Sequence, residues 1–170
     1  MQFFDLVAMK EESLDSLASR LGYKKIFRVG KELEVVEDLK SVSSSKKILV
    51  NDDFETISKA LRQSDVIGMM PKSASISKKT LEAIKNNESV LFLPVAQVTC
   101  AEAGLRTQRL VRMRGWVRSA LMAKVPFALV SMAESKEGMM SSAQMLDVAE
   151  FLGIGQGQAK EALARIGGLV

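Results

Sequence analysis

The amino-acid sequence predicts a single α/β domain in which parallel strands alternate with helices. Continuous apolar runs alternate along the chain with segments whose apolar residues keep helical spacing. Such alternation implies strands joined by crossovers, in a sheet or a barrel whose strands are covered on both faces. A complete eight-fold barrel typically needs ~250 residues, so 170 residues predict short loops, missing helices or an incomplete barrel. We expect one domain covering 1–170.

The first half of the chain predicts strands separated by capped helices. The strands are short, mainly apolar runs at 3–7, 24–30, 46–52 and 65–70. The helices begin at N-capping residues, which are Ser13, Asp52 or Asp53, and Ser77. The segment 31–45 stays ambiguous, because LEVV suits a strand whereas the serines at 41–45 suit a loop.

The second half predicts a buried strand, a long helix, another strand and two closing helices. These elements are expected at 89–98, 101–123, 126–133, 142–154 and 157–167. The run at 89–98 is the longest apolar stretch, and we expect it to be buried. The sequence GIGQGQ, at 153–158, has the glycines of a dinucleotide-binding loop but not the preceding strand, so we predict a turn.

Composition excludes several kinds of catalytic site. The chain contains no histidine, which removes Ser-His and Cys-His nucleophiles and every His-based metal site. The predicted strand ends offer few polar side chains, namely Asn51, Asp52, Gln97 and Ser131. Asp52 and Asp53 follow a strand directly and suit helix caps better than metal ligands. We predict no catalytic residue, no metal ligand and no cofactor bound by the protein.

The cysteine count and the hydropathy pattern indicate a cellular compartment. Cys100 is the single cysteine, so no internal disulfide can form and a reducing environment is expected. No apolar run reaches the ~20 residues of a membrane span, and the first residues, MQFFDLVAMKEE, lack the basic start of a secretory signal. We expect a cytoplasmic protein without membrane contact.

Positive charge is concentrated in one segment. The whole chain carries a net charge of +4, whereas residues 100–125 alone carry +5. Arginines without intervening acids repel one another, which indicates an anionic partner. Arginine also pairs with phosphate oxygens at two points and stacks on bases. The candidate nucleic-acid-binding residues are Arg106, Arg109, Arg112, Arg114, Arg118 and Lys124.

A helical wheel of this segment separates an apolar face from the arginines. The apolar face consists of Leu110, Met113, Val117, Ala120 and Leu121. Arg109 and Arg112 flank it on one side, and Arg114 and Arg118 flank it on the other. Trp116 suits core packing better than base stacking. We predict a phosphate-contacting helix, with nucleic acid as the first candidate partner and an acidic protein as the second.

Two further charge patterns give weaker predictions. Asp5 and Arg28 belong to neighbouring strands and are expected to form a buried ion pair if both point into a barrel. Lysine pairs recur at 24–25, 46–47 and 78–79, and two of these pairs precede strands directly. Solubility explains them best, and a second surface for a polyanion is the alternative.

Several segments of the chain together match the pattern of one known family. They are the arginine-rich helix ending in a lysine, the strand VPFALVSMA after it, and the helix SSAQMLDVAEFLGI. Upstream, KKILVND, SDVIGMMP and VLFLPVAQV match the family's strands. The match covers roughly 46–166, and DLVA and LGYKKIFRV fit its opening. In these segments the chain resembles the archaeal ribonuclease P protein component 3 family, relatives of a thirty-kilodalton subunit of the eukaryotic enzyme.

This resemblance implies a compact TIM-barrel-like fold of the PHP-like type, with one strand–helix unit reduced between residues 30 and 46. It also implies a non-catalytic protein subunit of an endoribonuclease. The RNA of that enzyme removes 5′ leaders from precursor tRNA, and the RNA-based holoenzyme requires Mg²⁺. The implied partners are ribonuclease P RNA, precursor tRNA and protein component 2, in a heterodimer or heterotetramer. The family often has a histidine where this chain has Gly68 and Met69.

Three alternatives remain open at the level of sequence. The family's fold is shared with metal-dependent phosphoesterases, so a degenerate hydrolase is one alternative, although the lack of histidine counts against it. A small-molecule barrel enzyme is another, although it would need more polar residues at the strand ends. A protein-only scaffold is the third, and salt-dependent RNA binding distinguishes it from an RNA-binding subunit.

Overall fold

The computed structural model describes residues 1–9, 14–37, 45–72 and 75–169. In these ranges the chain forms seven strands, which are β1 (Phe4–Val7), β2 (Lys25–Arg28), β3 (Leu33–Val36), β4 (Lys46–Val50), β5 (Val66–Met70), β6 (Val90–Pro94) and β7 (Phe127–Val130). The α-helices are α1 (Asp15–Arg20), α2 (Phe54–Ala60), α3 (Lys78–Asn86), α4 (Ala96–Thr99), α5 (Ala103–Ala123), α6 (Ser142–Phe151) and α7 (Gln156–Ala164). Two 3₁₀ helices cover Lys136–Gly138 and Arg165–Gly168.

Every strand pairing in the described ranges is parallel. β1 pairs with β2, and β3 to β7 form a five-stranded sheet in sequence order. Parallel neighbours in sequence order require each connection to run back along the sheet, and helices provide most of these returns. The predicted alternation of strands and helices in an α/β fold is therefore confirmed.

Hydrogen bonds join the two sheets on both sides. Between β2 and β3, an isolated parallel bridge pairs Val29 with Leu33. Between β7 and β1, the Met132 amide donates to the Leu6 carbonyl at 2.8 Å. The seven strands therefore follow one another as a ring of hydrogen-bonded neighbours.

One buried apolar cluster contains residues from all seven strands. Its strand members are Leu6, Phe27, Leu33, Ile48, Met70, Val90, Phe92, Ala128 and Val130. Ile166, from the last 3₁₀ helix, joins them. Side chains from every strand can share a single cluster only if they point inward, so this cluster fills the space inside the ring.

A second, larger cluster lies between the strands and the helices. It combines outward-facing strand residues such as Leu49 and Leu91 with helix residues such as Ile84, Trp116 and Leu163. Both faces of the strands are therefore covered, as the continuous apolar runs predicted. Trp116 is 1% exposed, so its predicted role in core packing is confirmed.

Several predicted element boundaries are confirmed by the caps. Asp53 accepts a hydrogen bond from the Thr56 amide at the start of α2, and Ser77 does the same for Thr80 at the start of α3. The helix start predicted at Ser13 lies outside the described residues, as do positions 41–44 of the predicted serine loop. The ambiguous LEVV segment is strand β3.

Several element boundaries differ from the prediction, most clearly at the ends of two strands. The strand predicted at 89–98 ends at Pro94, and Ala96–Thr99 is a short helix. An apolar run does not by itself distinguish strand from helix, which explains the error. Strand β7 likewise ends at Val130, before the predicted end at 133.

Only residues 29–32 separate β2 from β3, so this connection contains no helix.

Candidate nucleic-acid interface

The arginine-rich segment forms the longest helix of the described residues. Helix α5 has 21 residues and is about 31 Å long. Its buried residues are Met113, Trp116, Val117 and Ala120, with Leu110 and Leu121 partly buried. The predicted apolar face is therefore the face that packs on the core. The helix ends where Lys124 adopts a left-handed backbone conformation with φ 54°.

Two arginines near the start of α5 are held by backbone carbonyls of the preceding segment. Arg106 Nη2 donates to the Ala101 carbonyl at 3.3 Å, and Arg109 Nη1 donates to the Gln97 carbonyl at 3.1 Å. Each of these bonds uses one of the five N–H donors of a guanidinium group. These contacts orient both side chains near the carboxyl end of β6.

Arg114 is bound to the end of helix α6. Its Nε and Nη2 atoms donate to the Phe151 carbonyl at 3.2 and 2.7 Å. Its guanidinium carbon also lies 4.6 Å from the centre of the Phe151 ring. The last carbonyls of a helix carry partial negative charge, so a cation is favourable there. Part of the charge that the sequence assigned to an external partner therefore stabilises a contact within the chain.

The remaining candidates differ in exposure. Arg112 is half-buried, and its Nε atom is buried without a hydrogen-bond partner among the described residues. Arg118 and Lys124 are exposed. From Arg106 to Lys124 the helix rises by about 27 Å. The six predicted residues therefore form a band along one helix, and the structure does not gather them into a compact cluster.

The lysines of the three predicted pairs lie in different surroundings and do not form one shared positive surface. Lys47 is 4% exposed and forms a 2.8 Å ion pair with Asp65, which removes it from any external surface. Lys25 lies over the Phe27 ring at 4.7 Å, and Lys78 lies 3.8 Å from Glu82. Alternation along β4 places Lys47 on the same helix-covered face as Leu49, where it is buried, which the sequence pattern alone did not distinguish.

The predicted ion pair between Asp5 and Arg28 is wrong. Arg28 faces Glu32, with 3.9 Å between their charged atoms. Asp5 is fully buried, and its Oδ1 accepts hydrogen bonds from the amides of Leu6 and Ser131 at 2.8 and 2.7 Å. Leu6 points into the ring, so Asp5 points outward, where it ties β1 to the end of β7.

Burial raises the pKa of the Asp5 carboxyl to about 6, although its hydrogen bonds with Ser131 and Leu6 oppose the increase. Its Oδ2 atom is buried and has no hydrogen-bond partner among the described residues. Burial, together with the nearby Asp5 charge, also raises the pKa of the Tyr23 hydroxyl. Tyr23 donates to the Met140 carbonyl at 3.0 Å, so it stays neutral and bound.

The raised pKa of Asp5 gives the stability a testable pH dependence. Between pH 4 and 6 the folded chain holds a proton on Asp5 that the unfolded chain releases, so this group's contribution to stability falls as pH rises. We expect the free energy of unfolding of the natural chain, relative to Asp5→Asn, to fall by about 2 kcal/mol from pH 4 to pH 7. Urea titrations at several pH values measure the free energy of unfolding of both proteins. A difference between the two proteins that stays constant with pH would contradict the prediction.

The polar residues at the strand ends serve local structure. Asn51 Oδ1 accepts from the Asp53 amide at 2.8 Å, and Asp52 Oδ1 accepts from the Lys72 amide at 3.0 Å. Asp53 caps α2, as predicted. Ser131 Oγ donates to the Leu6 carbonyl at 3.3 Å. Among the residues that the structure describes, no three His, Cys, Asp or Glu side chains come together as a metal site.

An open cavity of about 680 Å³ lies at the carboxyl ends of β1, β5, β6 and β7. Arg109 and Gln97 line it, as do Glu134 and Ser135 from the loop after β7. Sequence analysis considered Arg109 and Gln97 separately and missed Glu134 and Ser135. The alternation of parallel strands was the available signal, because it brings all strand ends to one edge.

No described helix combines the length and apolar character needed to cross a membrane.

Comparison with known proteins shows a relationship of fold. No protein-family model matches the chain, and no curated protein matches it in sequence. The chain does resemble a chain in a cryo-EM structure of archaeal ribonuclease P with mature tRNA. The TM-score is 0.69 at 14% sequence identity, and the match covers 99% of this chain and 80% of that chain. At this identity the likeness establishes a common fold.

Proposed function

We propose that the chain is a protein subunit of ribonuclease P that supports the catalytic RNA in removing 5′ leaders from precursor tRNA. The single observation that carries this proposal is helix α5, which has five arginines and no acid from Ala103 to Ala123 and lies on the surface. The same fold in a chain of an archaeal ribonuclease P structure supports it independently of that charge.

We further propose that the fold is a compact TIM-barrel-like domain of the PHP-like type spanning 1–170. The ring of hydrogen-bonded strands and the cluster filled from all seven of them support this assignment. The connection at 29–32 has no room for a helix, which supports a reduced strand–helix unit between residues 30 and 46. A barrel of this kind gives α5 a rigid base.

In this proposal the chain contributes charge and shape, and the RNA performs the chemistry. Arg118 and Lys124 are exposed and contact phosphates, and the half-buried Arg112 contacts phosphate through its terminal N–H groups. Arg106 and Arg109 use the donors that their backbone contacts leave unused. Arg114 stays on Phe151 and adds long-range positive potential. Neutralising phosphates lets RNA strands approach one another with fewer of the Mg²⁺ ions that the RNA-based holoenzyme requires from solution.

The same proposal assigns the partners. Ribonuclease P RNA and precursor tRNA fit an arginine-rich helix, and protein component 2 is the expected protein partner, in a heterodimer or heterotetramer. The complex would be cytoplasmic, and the protein itself binds no metal or cofactor. The isolated chain is proposed to be inactive, because no described cluster of side chains could activate water on a phosphate.

Removing the arginines of α5 tests the RNA-binding role. The quadruple variant with Arg109, Arg112, Arg114 and Arg118 changed to Gln loses the Arg114–Phe151 contact but should fold, since the four residues flank the packed face. Its affinity for ribonuclease P RNA should fall, and the slope of log affinity against log salt should flatten by roughly 1.5–2 units, the value for two lost phosphate contacts. Fluorescence anisotropy over a range of salt concentrations measures both quantities.

A matched variant separates this role from net charge. Changing four exposed cations outside α5 to Gln removes the same charge, and Arg20, Arg62, Lys85 and Lys160 are suitable. The control should retain most of the affinity and the slope. Equal losses in both variants, or no loss in a folded α5 variant, would contradict RNA binding by α5. An acidic protein would then be the better partner for this helix.

A further inference from the structure

We propose that the cavity at the carboxyl ends of β1, β5, β6 and β7 binds one nucleotide, with the base against a methionine floor and the phosphate on Arg109. The cavity is about 680 Å³. Small-molecule sites commonly measure roughly 300–1,000 Å³, and α/β proteins place them at this edge of the strands. The identification of the site rests on its own geometry, and only the choice of RNA as the nucleotide's source rests on the proposed function.

The floor of the cavity suits a flat ring. Met70, Met132 and Pro94 line it where their strands end, and Ala8 follows β1 beside them. Methionine side chains are polarisable and adjust to a planar surface, and their sulfur atoms make favourable contacts with aromatic rings. An aliphatic ligand would gain no advantage from sulfur, so the floor favours an aromatic base.

One floor residue is held in an unusual conformation. Met132 has φ 51°, in the left-handed region that residues other than glycine rarely adopt. Its amide donates to the Leu6 carbonyl, which fixes this conformation at the junction of β7 and β1. Backbone strain of this kind concentrates at functional sites, and here it ends the strand and directs Met132 to the cavity.

The wall of the cavity carries one cation and several neutral or acidic hydrogen-bonding groups. Arg109 is held by the Gln97 carbonyl at 3.1 Å and keeps further N–H donors for a phosphate. Gln97, Glu134 and Ser135 can pair with the polar edge of a base. Glu134 repels free anions, so the site favours a ligand with one anionic end and one neutral hydrogen-bonding end. A nucleotide has this combination.

Methionine methyl NMR on the full chain tests the proposal. Labelled methyl groups of Met70 and Met132, assigned with Met70→Leu and Met132→Leu, report a base on the floor through its ring current. Titrations use adenosine, guanosine, cytidine and uridine 5′-monophosphates, the matching nucleosides, and inorganic phosphate. At least one monophosphate should shift both methyl groups and bind about tenfold or more tighter than its nucleoside. Phosphate alone should leave both methyl groups unchanged.

Variants of Arg109 determine whether phosphate recognition occurs where the geometry places it. Arg109→Gln should remove the advantage of the monophosphate over the nucleoside, and Arg109→Lys should restore part of it through charge without the planar fork. Arg20→Gln removes an exposed arginine of α1 and should change nothing. Absent methyl shifts with all four monophosphates, or an advantage that survives in Arg109→Gln, would overturn the proposal.

Short single-stranded oligonucleotides distinguish the two sources of the nucleotide. Tighter binding of a pentanucleotide with shifts at the same methyl groups would assign the site to an unpaired nucleotide of RNA. Shifts with monophosphates alone would assign it to a free nucleotide. RNA binding without any methyl shift would contradict the cavity proposal and would not affect the proposed function. Methyl shifts with monophosphates in a chain that does not bind RNA would support the cavity proposal and contradict the proposed function.

Discussion

Phe92→Ala is expected to lower the free energy of unfolding by about 3–5 kcal/mol, the usual cost of removing a buried aromatic side chain. Phe92 is fully buried inside the ring of strands, on β6 between β5 and β7. Its ring contacts the position of Gly68 on β5, so its removal leaves a cavity that neighbouring backbone cannot fill. Urea denaturation followed by circular dichroism measures the change.

A surface phenylalanine provides the control for this substitution. Phe54 is 38% exposed at the start of α2, and Phe54→Ala should cost no more than about 1 kcal/mol because less apolar area is lost. An unchanged unfolding midpoint for Phe92→Ala would show that β6 is not enclosed by the other strands. The assignment of an inner cluster would then be wrong.

Gly68→Ala is expected to lower the free energy of unfolding at least as much as Phe92→Ala, although it adds only one methyl group. A Cβ atom at Gly68 would overlap the Val90 carbonyl oxygen and lie 2.8 Å from Phe92 Cε2. Gly68 and Val90 are register partners in adjacent strands, so the overlap can be relieved only by separating β5 from β6. We expect a loss of about 3 kcal/mol or more, or failure to fold.

A second glycine in the same chain gives the opposite expectation. Gly115 lies within α5, and a Cβ atom there meets nothing within 4 Å. Gly115→Ala should therefore raise stability by about 0.5–1 kcal/mol, the difference in helix propensity. Thermal unfolding of the two variants provides the comparison. Equal stability of Gly68→Ala and Gly115→Ala would contradict the close approach of β5 and β6.

Sequence pattern predicted the elements well where local signals agreed. The apolar run around Phe92 correctly predicted a buried strand. At Asp53 and Ser77, a capping residue directly before helical apolar spacing correctly predicted the start of a helix. LEVV was ambiguous because its four residues suit a strand, whereas the following serines suit a loop. Only pairing with β4 makes it a strand, and pairing is a tertiary effect.

The contacts of Asp5 and Arg114 show what the sequence could not predict. Asp5 is paired with Ser131, 126 positions away, because β7 returns to lie beside β1. Arg114 binds the Phe151 carbonyl, 37 positions away, because α6 ends beside α5. Helical periodicity fixes the face on which an arginine lies. It does not reveal the neighbouring element that the arginine meets.

The cavity residues were missed for a related reason. Arg109 was assigned to the RNA-binding helix from its charge, and Glu134 lies in a loop with no motif of its own. They meet only because the described strands run in one direction and bring their connecting segments to one edge. Side-chain types alone gave no sign of a binding cavity there.

Cleavage of precursor tRNA by ribonuclease P RNA, reconstituted with protein component 2, with and without this chain, tests the central proposal most directly. Mg²⁺ titrations of the cleavage rate should show that the chain lowers the Mg²⁺ concentration required. The α5 quadruple Gln variant should raise it again, because it lacks the cationic side chains that offset phosphate repulsion. The chain without RNA should release no leader at any Mg²⁺ concentration. Leader removal by the chain alone, or a Mg²⁺ requirement that the chain leaves unchanged, would contradict the proposed function.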